Sequence, residues 1–544
     1  MGTSNQTTRR ALRCCAASLL FARAVLGQVP VPPSDDAALQ ASRSIALLDA
    51  IAVERIELEG NTVLTAAEVA ALTAPYENRS VSFEELHELR HTLSRAYVDR
   101  GYVSSGVVMP DQRVTGGVVV FQAIEGQLTE IVVQGNRRFR AQAIAKRIER
   151  FVNEPLDIAD LQASLERIRQ DPLIARINAQ LLPGAAPGQN YLRLGLTERR
   201  PLELEVTGGN DRSASVGEHR GNVAITYRGL IGNGDILSGG FGFTDGVVDN
   251  VLSYRVPLTA RGVALEVVRT EQAADIVEQP FRSINIESRL ESLRFAASYP
   301  FRTSNTDTLV GMLGFEHRHS ESTLLEMPFS FSPGDVDGRA QGSAVLAGLE
   351  WSRREPSRAW AARGTLHIGV DALDATLNSV GPDSESMALT GQFQFLQTLT
   401  GSRRVLVRGV VQLARDPLLA MYKLPVGGRY SVRGYRESQF VRDNALLASI
   451  EYQLPVALDD SGRARGNVHV AVFADYGAAR DEEDTFATSG TARLASAGFG
   501  VLWDPIPAFH FELYLGKSLK GLDNSSSSLQ DQGIHYRASF NKAL

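Results

Sequence analysis

Two short stretches carry residue types and spacings that could do chemistry. His87-Glu88-Leu89-Arg90-His91 has the H-E-x-x-H spacing, which on a helix sets two imidazoles on one face for zinc and leaves the glutamate as a base. Gly516-Lys517-Ser518 has the form of the end of a phosphate-binding loop, where glycines let backbone amides approach a phosphate. Both patterns are incomplete. No clear third ligand follows the two histidines, and their helix lines Leu86, Leu89, Leu93, Ala96 and Tyr97 along one face, so that side is committed to a core. Phe511 stands where a phosphate loop needs its first glycine. Cys14 and Cys15 are the chain's two cysteines and lie near its start, so a mature chain lacking that segment has no disulfide, thiolate nucleophile or cysteine metal site. The expectation is a protein with no catalytic residue, no metal and no cofactor.

Composition narrows the remaining classes. Lys and Arg number 56 against 62 Asp and Glu, a net charge of −6, which argues against nucleic acid as the main partner because phosphates want a concentrated positive surface. Arg9, Arg10 and Arg13 precede or interrupt an apolar stretch from Ala11 to Leu26, with Ala24 and Gly27 as small residues at its end; this is the pattern of a secretory signal peptide over residues 1–27. Arg9-Arg10 resembles a twin-arginine signal, but that route carries folded cargo, so the general secretory route fits better. Mean hydropathy is −0.11, and no apolar run of about 18 residues follows the N-terminus, so no membrane helix is expected. Alternating strands remain compatible with such a value, because their two faces average out.

The elements that must position any function fall into two kinds. Between residues 53 and 199 a pattern repeats at a spacing of about 75 residues. One copy opens on Arg55-Ile56-Glu57-Leu58-Glu59-Gly60-Asn61, the other on Glu130-Ile131-Val132-Val133-Gln134-Gly135-Asn136. Each opening is a short strand ended by Gly-Asn, a dipeptide that tolerates positive φ. Two helical stretches follow (66–72 and 83–100, then 141–151 and 158–169), and two β runs close each copy (103–109 and 118–124, then 174–182 and 191–196). Each copy therefore reads β-α-α-β-β, a small sheet covered by helices.

After Arg200 the helical period vanishes. Val405, Val407, Val411 and Leu413 oppose Arg408 and Gln412; Val468, Val470, Val472, Ala474 and Tyr476 oppose His469, Phe473 and Asp475. About sixteen such segments run from near Leu202 to near Gly533, with long connections tending to alternate with short ones. An apolar outside and polar inside in an even number of strands suit an antiparallel transmembrane barrel in a lipid bilayer. A soluble β-sandwich is the competing reading, but sandwiches rarely need this many strands.

Further residues carry a family resemblance. Arg100-Gly101-Tyr102, Pro110, Gln112, Gly117 and Glu125-Gly126 in one repeat, and Asp171-Pro172-Leu173 with Leu182-Pro183-Gly184 in the other, are laid out as in polypeptide-transport-associated (POTRA) domains. Val432-Arg433-Gly434-Tyr435 matches a loop-six signature, and Phe473-Ala474-Asp475-Tyr476-Gly477 matches an F-x-D-x-G strand signature. Their positions, between the eleventh and twelfth segments and on the thirteenth, fit that resemblance. The chain resembles the TpsB-type transporter of two-partner secretion systems, which export haemolysins and filamentous adhesins. The resemblance implies a signal peptide (1–27), a linker or short helix (28–52), POTRA 1 (53–126), POTRA 2 (127–199) and a 16-stranded barrel (200–544). It also implies a monomer in the outer membrane whose POTRA domains capture a secreted partner exoprotein by an N-terminal secretion domain. Site residues implied are Val432, Arg433, Gly434 and Tyr435 of the loop and Phe473, Asp475 and Gly477 of the strand. A loop of about 29 residues that folds into the lumen needs an anchor. A charge-assisted bond from Arg433 to Asp475 would supply it, with Gly434 allowing close approach and Tyr435 and Phe473 packing beside the pair. An outer-membrane assembly insertase shares the loop signature, but its typical members carry three or five repeats. Two departures stand out: the last aromatic, Phe540, is not terminal, and only Asp35 to Ala50 is available for the family's plug helix.

Overall fold

A computed structural model describes residues 50–304, 306–456, 468–483, 490–521 and 528–544. The signal peptide and the helical stretch expected from Asp35 lie outside the described residues, apart from Ala50 itself.

The first repeat comprises strand β1 (Ile51–Val53), β2 (Arg55–Glu59), helix α1 (Ala66–Thr73), β3 (Arg79–Val81), α2 (Phe83–Asp99), β4 (Gly106–Val108) and β5 (Val118–Ile124). Its sheet has the order β2-β5-β4, with β2 parallel and β4 antiparallel to β5. β1 and β3 form a separate antiparallel pair that alternation alone did not reveal, because three residues are too few to show a period. Both helices start at reciprocal caps, Thr65 with Glu68 and Ser82 with Glu85, which satisfy amides that have no partner within the helix. Leu86, Leu89, Leu93 and Tyr97 of α2 are buried together with Val119 and Phe121 of β5. Burial and the nearby Glu125 carboxylate push the Tyr97 hydroxyl well above its ordinary range, and it donates to Asn61 Oδ1 at 2.7 Å. Phe121→Ala is expected to cost this module about 3–5 kcal/mol through the cavity it leaves. The readout is limited proteolysis in a urea series, with cleavage within 51–126 appearing at lower urea.

The second repeat comprises β6 (Gln127–Gln134), α3 (Ala141–Glu149), α4 (Ile158–Arg169), β7 (Ile174–Pro183) and β8 (Gln189–Glu198), with sheet order β6-β8-β7. The Gly-Asn turn plays the same part in both copies. Gly60 (φ +71°) and Gly135 (φ +77°) occupy left-handed backbone, and a Cβ there would sit 2.8 Å from Ala123 O and 2.4 Å from Leu196 O. Asn61 and Asn136 each donate from Nδ2 to the carbonyl three residues on.

Among the described residues the remainder forms a closed antiparallel barrel of sixteen long strands, the first Leu202–Gly209 and the last Ile534–Ala543, paired to each other through Phe540 opposite Val206. The first strand starts at Leu202 and the last at Ile534, at and next to the two ends that alternation indicates. Alternation also assigns the faces. On the thirteenth strand, Val468–Arg480, the residues His469, Ala471, Phe473 and Asp475 are buried inward, whereas Val470, Val472 and Tyr476 are exposed on the outside. On the eleventh, Arg404–Ala414, Leu413 faces out and Gln412 is buried inside. Such apolar outer faces are what a bilayer requires of strands whose backbone bonds are all satisfied by neighbours.

Candidate functional site

The connection from Arg415 to Asp443, between the eleventh and twelfth strands, is ordered rather than structureless. Leu424–Val426 pairs with Phe440–Arg442 as a small hairpin stem, and the segment between them carries the loop-six signature. Val432 is buried with Val426, Leu447, Ala479 and Leu494, so the stem is seated on the inner faces of the twelfth to fourteenth strands.

Arg433 projects from this seat into a pair of carboxylates. Its Nε donates to Asp475 Oδ2 and its Nη2 to Asp475 Oδ1, both at 2.8 Å, a two-pronged geometry that only a guanidinium can make. Its backbone N–H adds a third bond to Asp475 Oδ2 at 3.0 Å. Nη1 pairs with Glu451, and Nη2 also reaches Ser449 Oγ at 3.1 Å. The ring of Phe473 lies 3.6 Å from the guanidinium carbon and that of Tyr514 lies 4.7 Å from it. Arg433 is 1% exposed. At that burial a single charge is costly, and two carboxylates, a hydroxyl and two ring faces offset it.

Gly434 adopts φ +90°, and a Cβ on it would meet the backbone of Gly516 at 3.0 Å; its N–H donates to His535 Nε2 at 3.3 Å. Tyr435 departs from the expected arrangement. Its ring packs with the Val432 cluster, and its hydroxyl lies 3.0 Å from both Ala495 O and Lys520 O, either of which can accept its one proton. Tyr514, from the fifteenth strand, takes the second place beside the guanidinium. Gly477 lies on the inner face of its strand, where a Cβ would come within 2.7 Å of Val432 Cγ2; it is the floor on which the loop rests.

Glu451, Ser449, Tyr514 and His535 escape the sequence reading, because each resembles any other inward polar residue of a strand. Register holds the one available signal: Ser449 pairs opposite Asp475 and Glu451 opposite Phe473, so inward parity on the twelfth strand points to both. The incomplete H-E-x-x-H motif lies elsewhere, in the first repeat, whereas Gly516 of the other incomplete motif lies against loop six. His87 packs edge-on against Phe83 at 4.4 Å, and His91 Nε2 is 3.0 Å from Arg90 Nη2. Among the described residues no group of His, Cys, Asp or Glu is placed to hold a metal ion.

The family description "Haemolysin secretion/activation protein ShlB/FhaC/HecB" matches residues 188–502, more than half of the chain. The chain belongs to this family. The family's description names haemolysin secretion and activation. A ShlB-type POTRA domain matches residues 51–126. The outer membrane transporter CdiB of Dickeya dadantii (strain 3937) is 29% identical over 185 residues, 34% of this chain and 32% of that protein. The match thus spans about a third of that relative's length. CdiB of Escherichia coli O6:K15:H31 (strain 536 / UPEC) is 22% identical over 479 residues, 82% of this chain and 76% of that protein. Among solved structures, CdiB from Escherichia coli has a TM-score of 0.65 at 18% identity, covering 97% of this chain and 96% of that one. BamA from Haemophilus ducreyi lacking POTRA domains 1-3 has a TM-score of 0.56 at 15% identity, with 91% and 100% covered. At these identities the two structures share the transporter's fold.

Proposed function

We propose that this chain exports an unfolded partner exoprotein, of haemolysin or adhesin type, across the outer membrane. Residues 53–126 and 127–199 act as two periplasmic POTRA domains that capture the partner's N-terminal secretion domain, and residues 200–544 form the pore. Residues 1–27 serve as the signal peptide and 28–52, which runs into the first residues of β1, as a linker or short helix. The protein works as a monomer without a cofactor. The loop-six seat carries this reading. A segment of about 29 residues is fixed to the inner wall by a buried arginine, so the lumen holds a built device and not an open passive channel. The chain has no nucleotide-binding motif of its own, and folding of the partner outside biases its passage.

Capture proceeds by strand addition to an exposed sheet edge. β7 and β4 both lie at sheet edges, and β7 is the longer, ten residues against three. Successive amides of a strand point to opposite sides, so one of Asn178 and Ala179 directs its N–H outward. Proline at that one removes a donor from the free edge and is expected to cut export at least tenfold; proline at the other breaks the module's own sheet. Pull-down of the partner's N-terminal segment, with proteolysis to confirm folding, distinguishes the two.

The function is tested by deleting the chain's gene and analysing both the culture medium and the outer membrane. Loss of one exoprotein from the medium is the expected result. A general fall in outer-membrane barrels points instead to an insertase.

A further inference from the structure

A second arginine follows the motif, and it reaches a different set of partners. Arg436 Nε donates to Asp531 Oδ1 at 2.7 Å, and its Nη2 donates to Glu278 Oε1 at 2.7 Å, with Nη1 at 3.4 Å from Oε2. Neither carboxylate belongs to a barrel strand. Glu278 lies between the fifth strand (Ala264–Asp275) and the sixth (Ile286–Thr303), and Asp531 lies between the fifteenth (Phe509–Ser518) and the last. Both connections are on the same side of the barrel as loop six.

These connections are also tied to the one after the first strand. Val277 and Glu278 donate their amides to Ser215 O. Gln530 Nε2 donates to Asn210 O at 2.8 Å and Arg212 O at 2.6 Å. Glu218 accepts from the amides of Leu529 and Gln530. The residue next to Arg436, Glu437, donates its amide to Gln530 Oε1 at 3.0 Å. Two outer connections, remote in sequence, therefore meet the tip of loop six at one guanidinium, and the third is tied to both of them.

The two arginines differ in a way that bears on motion. Arg433 and its carboxylates are sealed from solvent, with side-chain exposures of 1% or less. Arg436 and Glu278 keep 20% and 24% of their side-chain surface exposed, and Asp531 keeps 7%. Ion pairs open to water are weak and exchange readily, whereas a desolvated pair is costly to part. A polypeptide leaving the lumen must displace the outer connections, and the Arg436 pairs, part-open to water at the guanidinium and at Glu278, yield more readily than the sealed Arg433 pairs.

We propose that Arg436 is a latch. It holds the outer connections drawn onto loop six in the resting transporter and releases them when the partner exits. This rests on the export reading, but the latch has a readout of its own. In planar bilayers the full-length Arg436→Gln protein is expected to show at least twofold more frequent large-conductance openings than the parent chain. Its heat-modifiable mobility should be unchanged, and co-expressed partner should still reach the medium. The paired variant Glu278→Gln/Asp531→Asn should also open more often than the parent chain, and combining all three changes should give less than the sum of the two effects, because both remove the Arg436 ion pairs. Parental conductance in Arg436→Gln overturns the latch, as does an additive effect in the triple variant. Failure of the parent chain to export any partner would overturn the export reading while leaving the conductance comparison intact.

Discussion

Arg433→Ala is expected to abolish secretion while leaving the barrel inserted in the outer membrane. The side chain makes its bonds inside a desolvated pocket, and its removal leaves the Asp475 and Glu451 carboxylates buried without their cation. Breaking one partner out of a buried pair costs about 3–5 kcal/mol, which shifts the seated population of loop six by about two to four orders of magnitude. The barrel strands lose nothing by it, since their ladders close through backbone bonds that do not involve loop six. Arg433→Lys should recover little, because an ammonium is a point charge and cannot span both oxygens of Asp475 while also reaching Glu451 and Ser449. Immunoblots of the medium report export, and heat-modifiable mobility of the membrane fraction reports the folded barrel. Export at parental level by the alanine variant would mean that the loop does not need its anchor.

Legibility in the sequence followed the length scale of each pattern. Barrel strands are ten or so residues of strict alternation, so their number, their faces and their starts could be read directly; Val470 and Asp475 fall on opposite faces because the period of a strand is two. The Gly-Asn repeat was equally plain, since a left-handed backbone position in contact with a facing carbonyl, as at Gly60 and Gly135, restricts the residue type. The short β1–β3 pair gave no period. The rest of the seat was hidden for another reason. Glu451, Tyr514 and His535 reach Arg433 and Gly434 from strands up to 101 residues away, and nothing local to each distinguishes it from an ordinary lumen residue. Arg436 was hidden likewise, because its partners sit in connections with no alternation at all. Tyr435 was misplaced since proximity in sequence to Arg433 says nothing of direction: the left-handed Gly434 between them turns its ring toward the fourteenth strand.

Gly516 supplies the most demanding check on the seat, because it belongs to none of the family signatures and in the sequence suggested only a fragment of a phosphate loop. It lies on the inner face of the fifteenth strand, where loop six passes so close that a Cβ would stand 2.7 Å from Gly434 N and 2.9 Å from Arg433 C. Those are backbone atoms and cannot rotate aside, so one of the two segments must give way. The strand is held on both edges by its ladder, whereas the loop is held by side chains; the loop is the part that moves. Overpacking of this kind typically costs about 1–3 kcal/mol, and here it is relieved by unseating Arg433. Gly516→Val is therefore expected to cut secretion at least tenfold with Arg433, Asp475 and Glu451 all intact and the barrel still heat-modifiable. Added to Arg433→Ala it should do no further harm, since both act through one seat. Gly364 is the matched control: it is also a barrel-strand glycine, but a Cβ there meets nothing within 4 Å, and Gly364→Val should secrete normally. If Gly516→Val also secretes normally, close contact between loop and wall is not needed for export, and the arginine must act on the partner by some route other than holding the loop in place.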